Sequence, residues 1–359
     1  MTAATALIAG NEALPQLAEQ VVEEALLRAG SAHANSVLLF LTPEFSRHAQ
    51  QAVRAAARAA QCTQVFGGIA AGLCTETGWA LDRPAAAAMV LCGGVSLMPA
   101  DAAGESPLLC CNTTPFPSEW AHSRRYGMLF HGNGSDGAVW QQSRVIAQGG
   151  VDACIRGADL RLAVSTGLRR LGAFLPADRL RGYDLETLAG QPALDSLLRH
   201  LPAAWREHLP LHQVSAIIDD PDAPDGTQVA AIISANTDRS LTLTVPLTPG
   251  QSLCWAIRQP LSAETDMREA LQFADAYKTV APDFALYFSC IGRGPYFYGG
   301  EDRDLAALCE RHRGLPVLGA YGTGQIAFHG GNSRQLHNAV VTALFHETPP
   351  EPDHVQPQP

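Results

Sequence analysis

The chain has 359 residues, of which 47% are hydrophobic and 17% charged, enough to bury a full core as two domains or one large one. Its formal charge of −10, with Lys278 the single lysine among 25 basic residues, argues against a nucleic-acid surface, which needs clustered cations. No apolar run approaches the roughly 20 residues of a membrane span. No basic residue precedes Arg28 as a signal peptide's charged n-region requires. Nine scattered cysteines without a CxxC fit a reducing compartment, where free Cys behaves as a small hydrophobe. The expectation is a cytoplasmic protein with no membrane segment, no metal and no nucleic-acid partner.

In chain order, Thr5 to Gly10 reads as a short strand. Leu14, Leu17, Val21, Val22 and Leu26 follow at helical spacing, and Gly30 closes that helix. Val37 to Thr42 is a buried strand, and Ser46 is placed to cap a helix over Arg47 to Ala60. Gln64 to Phe66 is strand-like and runs into a glycine loop, Gly67 to Gly72. Ala85 to Leu91 is again a strand. Between Pro99 and Gly150 the signals thin, with Pro115, Pro117, Gly132, Gly134 and Gly137 marking loops around a strand at Met128 to His131. From Asp159, paired strands lead to a helix that Pro192 opens. Val214–Asp219, Gln228–Ser234, Leu241–Val245 and Leu253–Arg258 read as strands, with a loop at Pro221 to Gly226. Ser262 caps a helix reaching Tyr277. The last residues, from Glu347 to Pro359, lack apolar content and read as a disordered tail.

The stretch from Phe284 to Phe345 is the most informative. Phe284 to Cys290 is a buried strand that stops at Gly292-Arg293-Gly294-Pro295. A helix opens at Glu301-Asp302-Arg303-Asp304 and runs through Arg313, its acids first and its bases last, and Gly314 ends it. Pro316 to Ala320 is a second strand, broken again at Gly322 and Gly324, and Ala339 to Phe345 is the last apolar segment. The first part of the chain repeats this plan. LLFLT answers LYFSC at an offset of 248, VFGGIAAG answers VLGAYGTG at 252, and Ala85 to Leu91 falls opposite His337 to Ala343 at that same 252. The expected fold class is α/β, with two related halves, mixed sheets and outer helices.

FSCIGRG, PVLGAYGTGQIAFHGG and LHNAVVTALF, in that order and spacing, resemble the C-terminal half of FIST-domain proteins. LRLAVSTGLRRLGAFLPADRL onward resembles the end of the FIST N-terminal domain. The resemblance implies a four-layer αββα sandwich and a sensory module of signal transduction, with amino acids or similar small metabolites as ligands. It divides the chain into a leading strand and helix (1–35), an N-terminal domain (36–210), a C-terminal domain (211–346) and the tail (347–359). The family usually carries a glutamate where this chain has Gln325.

Three glycine loops at strand ends, Gly67 to Gly72, Cys290 to Gly294 and Gly319 to Gly324, leave backbone N–H groups for a small ligand. The expected ligand-binding residues are Gly67, Gly68, Gly72, Arg293, Gly294, Tyr321, Gly324 and Gln325. Arg293, between two glycines, suits a carboxylate, or equally an acid of Glu301 to Asp304. Cys290 before a glycine turn is a candidate nucleophile if His329 or His337 serves as base, and otherwise a core residue. The GxG pair lacks a P-loop ending, and no third ligand accompanies His329 and His337, so neither a nucleotide cofactor nor a metal is expected. Three functions stay open: a sensor acting through a separately encoded signalling protein, a Cys290-dependent hydrolase or transferase, and a protein-interaction scaffold.

Overall fold

The computed structural model describes residues 2–130, 137–221, 227–276 and 280–348. The His131 end of an expected strand, Gly132, Gly134, most of the Pro221 to Gly226 loop, Tyr277 and the expected tail beyond 348 lie outside them.

The chain begins β1 (Ala3–Ala9), α1 (Pro15–Ala29), β2 (Ser36–Leu41), α2 (Ala49–Ala59), β3 (Val65–Ile69), β4 (Gly72–Thr75), β5 (Gly78–Leu81) and β6 (Ala85–Leu91). There follow β7 (Ser96–Pro99), β8 (Leu108–Asn112), β9 (Arg125–Leu129), β10 (Val139–Gln141), β11 (Arg144–Ile146), β12 (Gly150–Arg156) and β13 (Ala158–Ser165). Next come β14 (Leu168–Arg170), β15 (Leu175–Arg181), β16 (Asp184–Leu188), β17 (Gln191–Pro192), α3 (Ala193–His200) and α4 (Ala203–Arg206). β18 (Val214–Asp219), β19 (Thr227–Ala235), β20 (Leu241–Leu243), β21 (Ser252–Arg258) and α5 (Pro260–Asp275) continue the chain. It closes with β22 (Phe284–Cys290), α6 (Arg303–Arg311), β23 (Val317–Gly322), β24 (Gly324–His329), β25 (Asn332–Leu336) and β26 (Val340–Glu347).

Two compact units result, and they do not follow the expected division at 210/211. Within the described residues one takes 2–166 and 267–348, and the other takes Gly167–Asp266. The first 35 residues hold the expected strand and helix, and β1 pairs with β6 inside the first sheet.

The larger unit holds two sheets of one design. Their orders are β1-β6-β2-β3-β10-β11 and β13-β26-β22-β23-β4-β5. In each, the third and fourth strands run parallel and their other neighbours antiparallel. The registers agree residue for residue. Val37 pairs with Val65, and Ala285 with Val317, the same pair moved by 248 and 252. Leu41 pairs with Ala86, and Ser289 with Val340, which puts the last strand at an offset of 254. That is two residues beyond the expected 252, because β24, β25 and their connections are longer than β4, β5 and theirs. Strand order, direction and register thus repeat together.

Period-two alternation sorts each strand's side chains into layers. Val37, Leu39 and Leu41 face α1 and α2 in one apolar cluster. Leu38 and Phe40 face Leu286 and Phe288 in the central cluster between the sheets. Ala285 and Tyr287 turn the other way, toward Met267, Leu271, Leu305 and Leu308 of α5 and α6. These layers make the αββα sandwich. Phe40 and Phe288 are repeat counterparts and meet edge to face at 6.3 Å, so they lie near the pseudo-twofold axis. The first half also lends a piece to the second. β4 and β5 leave the first half and complete the second sheet, where Gly72 pairs with Tyr321. The matching place beside β3 is filled by β10. A third sheet, β25-β24-β9-β8-β12-β7, closes the unit.

Sequence reading places Gly67 and Gly68 in a loop, but they are interior residues of β3. A Cβ on Gly67 would lie 1.8 Å from the Leu39 carbonyl oxygen, and one on Gly68 would lie 2.8 Å from the Phe130 ring. Those glycines serve close packing. Helix ends also differ from expectation. Ser46 caps nothing, since α2 starts after His48 with no side-chain cap. Pro260, rather than Ser262, opens α5, a position where its missing N–H costs nothing.

The smaller unit is a closed antiparallel barrel. Its ring runs β21-β15-β16-β20-β19-β18 and returns to β21, with β14 paired outside it. Leu185, Leu241, Leu253 and Trp255 join Leu197 of α3 in its core. Closure removes the exposed edges that an open sheet of this size would present. In sequence the barrel is an insertion between β13 and α5, at the point where the first half passes directly from β1 to α1.

Candidate functional site

β22 ends at Cys290, and a short helical turn, Ile291–Arg293, swings the chain toward α6. Arg293 is 0% exposed. Its Nε donates to Asp304 Oδ2 at 2.9 Å and one terminal nitrogen to Oδ1 at 3.1 Å. The other terminal nitrogen donates to the Ser165 carbonyl at 2.9 Å, and Ser165 Oγ is 2.6 Å from the first. Of the two partners the sequence leaves open, the structure holds the acid. The guanidinium has no exposed face for a ligand carboxylate.

Beside this pair, Asp302 caps α6 by accepting from the Leu305 N–H at 2.9 Å. The Tyr321 hydroxyl donates to Asp302 Oδ2 at 2.6 Å and the Tyr287 hydroxyl donates at 3.2 Å. Burial pushes the Asp302 carboxyl up against the pull of these donors. Burial likewise lifts Asp304, to about 6, although Arg293 pulls it down. Burial alone would lower the Arg293 guanidinium, but Asp304 and Tyr298 raise it on balance. Tyr287 and Tyr321 are raised, by burial first and then by their acidic neighbours.

Cys290 is 6% exposed. Its thiol donates to Asn338 Oδ1 at 3.7 Å, and its N–H donates to the Ala339 carbonyl at 3.0 Å. Gln325, fully buried, sits beside it. Its amide nitrogen donates to the Ala339 carbonyl at 3.2 Å, and its oxygen accepts from the Cys290 N–H at 3.1 Å. An ionised glutamate there has no proton for that carbonyl, so an amide suits the site. The first half has Thr42 at the position of Cys290, and its N–H donates to Ala85 just as Cys290 donates to Ala339. His329 and His337 are exposed, and among the described residues no hydrogen bond joins either to Cys290.

Of the other expected residues, Gly72, Gly294 and Tyr321 come together. A Cβ on Gly72 or on Gly294 would lie 3.1 Å from the Tyr321 ring. Gly67 and Gly68 pack elsewhere, against Leu39 and Phe130, and Gly324 packs against Gln335. The three glycine segments therefore do not line one cleft.

A cleft of about 700 Å³ opens at the opposite end of β22 and β23. Its walls include Gly93, Pro282, Asp283, Arg313, Gly314 and Glu347. Arg313 and Asp283 are exposed, and α6 points its C-terminal end here. Sequence reasoning missed this place, because its residues are far apart in the chain and none belongs to a motif.

Among the described residues, no group of three His, Cys, Asp or Glu could hold a metal ion. No helix among them is long and apolar enough to cross a membrane.

Residues 190–328 match the model of the FIST C domain. The match starts within the barrel unit and ends in β24. Among curated proteins, the chain is similar to the uncharacterized proteins MT0656 and Rv0628c of Mycobacterium tuberculosis. Each is 24% identical over 219 residues, covering 58% of this chain and 57% of the relative. Uncharacterized protein Mb0898c of Mycobacterium bovis is also 24% identical, over 58% of this chain and 56% of its own. The chain thus spans rather more than half the length of these relatives. The FIST domain is a sensory module of signal transduction. The chain is thus similar to FIST proteins through residues 190–328, which match the FIST C domain.

Proposed function

We propose that the protein is a small-molecule sensor whose ligand is an amino acid or a similar small metabolite. The cleft of about 700 Å³ carries the reading, since its size is that of ordinary ligand sites. Its charges suit a dipolar molecule. Arg313, which has no partner among the described residues, is available to a carboxylate. Asp283, Glu347 and the carbonyl end of α6 favour an ammonium group. The signal would pass to a separately encoded protein. This reading moves the ligand away from Arg293, whose donors are engaged by Asp304 and Ser165. The Cys290 enzyme reading gains no support, because its thiol meets an amide oxygen and no histidine.

The test is a thermal-shift screen of amino acids and organic acids, with calorimetric titration of any hit. Ligand at about 100 times its dissociation constant should stabilise the fold by about 2.7 kcal/mol. That corresponds to a melting shift of roughly 5 to 10 °C for a unit of this size. Arg313→Ala and Asp283→Asn should each weaken binding. Absence of any hit would sink the sensor reading and favour a scaffold.

A further inference from the structure

The two halves share one backbone plan, so their helix–sheet interfaces compare position by position. In the first half the positions are Ile8, Leu39, Leu41, Phe45, Ile69 and Ala88, all in or against one apolar cluster with α1 and α2. Their counterparts in the second half are Ser165, Tyr287, Ser289, Arg293, Tyr321 and Thr342, every one fully buried. At these positions the second interface has become polar on an unchanged frame, while Leu305, Ala307 and Leu308 of α6 keep apolar contact with the sheet.

A second difference points the same way. An open groove of about 480 Å³ separates α5 from α6 along Leu271, Gln272 and Ala307. Ties across it include Arg268 to Glu310 at 2.8 Å, with side chains 47% and 61% exposed, and Arg311 to Asp275, with side chains 36% and 23% exposed. Exposed pairs of that kind contribute little. The segment before α6 ends in Gly299 and Gly300, whose φ angles of 82° and 121° only glycine adopts freely.

We infer that α6 and the segment leading into it, residues 291–311, form a detachable reporter element, held on the sheet in good part by polar contacts that water can replace. Opening an apolar interface only exposes hydrocarbon, whereas opening this one, besides exposing Leu305 and Leu308, rehydrates two carboxylates, a guanidinium and several hydroxyls. The cost of detachment is therefore lower for α6 than for α2. The cleft proposed above touches Arg311, Arg313 and Gly314 at the end of the same helix. Ligand bound there ties down the element that is easiest to release. Only this last step rests on the sensor reading.

Hydrogen exchange on the full chain, without ligand, tests the first step. Amides of Arg303–Arg311 should show protection at least about tenfold below those of Ala49–Ala59. Equal or greater protection of α6 overturns the inference. Arg293→Phe with Asp304→Ala copies the first half's Phe45 and Ala52, and should slow α6 exchange to the level of α2. If that variant does not fold, Tyr321→Ile, copying Ile69, should slow it in the same direction. Faster or unchanged α6 exchange in a folded variant overturns the inference. With an amino acid that binds in the screen, residues 303–315 should gain protection beyond the rest of the chain. An amino acid that binds but leaves them unchanged removes the reporter and leaves the sensor standing.

Discussion

Asp304→Ala probes the Arg293 pair most directly. The substitution leaves a guanidinium at 0% exposure that has lost the carboxylate facing its Nε and one terminal nitrogen, the latter keeping Ser165 Oγ. Removing one partner of a buried ion pair costs about 3–5 kcal/mol, because the remaining charge is uncompensated. The larger unit is in the size range where 1 kcal/mol moves the melting temperature by about 2–4 °C, so the loss is roughly 6–20 °C. The double variant Arg293→Met with Asp304→Leu removes both charges, and similar replacements are neutral or stabilising by about 1–4 kcal/mol. Calorimetric melting of the wild type, the single and the double variant at neutral pH is the assay. A single variant within about 1 kcal/mol of wild type would show that the pair is hydrated in solution. A double variant as unstable as the single one would mean that packing, not charge, sets the cost.

Other outcomes follow from the same geometry. Burial holds Asp304 at about 6, above the ordinary carboxylate value, so between about pH 4 and 6 the folded chain keeps a proton that the unfolded chain has lost. Its contribution to stability is thus present in acid and lost as pH rises through that window, and Asp304→Asn should remove this part of the slope in pH-dependent unfolding. Gly67→Ala should destabilise by more than about 4 kcal/mol or prevent folding, whereas Gly331→Ala, with open space around it, should stay within about 0.5 kcal/mol in urea unfolding. Cys290 should react with a thiol reagent only slowly in the native protein, and Cys290→Thr, copying Thr42, should fold; fast labelling would reopen the nucleophile reading.

Local patterns carried much of the fold. Ala85–Leu91 and Val214–Asp219 are strands at the residues their apolar runs mark out, and Gly30 closes α1 with a left-handed φ of 69°. The duplication was legible because both parallel strand pairs kept their apolar pattern and register, although the connection between the strands is four residues longer in the second half. The glycines misled. Gly67 and Gly319 look like turn residues, but each marks a neighbour pressed against a strand, the Leu39 carbonyl in one case and the Cys74 sulfur in the other. That neighbour is fixed by tertiary structure and leaves no local trace. The barrel was hidden for a related reason, since several short strands joined by turns do not disclose that β21 meets both β15 and β18.

The barrel also bears on why the second half became the specialised one. In the first half β1 hands over to α1 within a few residues, which holds the helix to its strand. In the second half a unit of its own core and closed edges stands between β13 and α5. The insertion removes the short connection on one side of the helical layer, and the polar contacts of Arg293, Asp302 and Asp304 take over part of the apolar grip on the other. If the barrel is self-sufficient, Gly167–Asp266 expressed alone should fold, with a strand-rich circular dichroism spectrum and one cooperative melt. Its closed ring and the cluster around Trp255 supply the core such a unit needs. An unfolded fragment would show that the barrel takes its stability from the rest of the chain. The insertion would then act as part of the sandwich, and the argument that it frees the helical layer would fail.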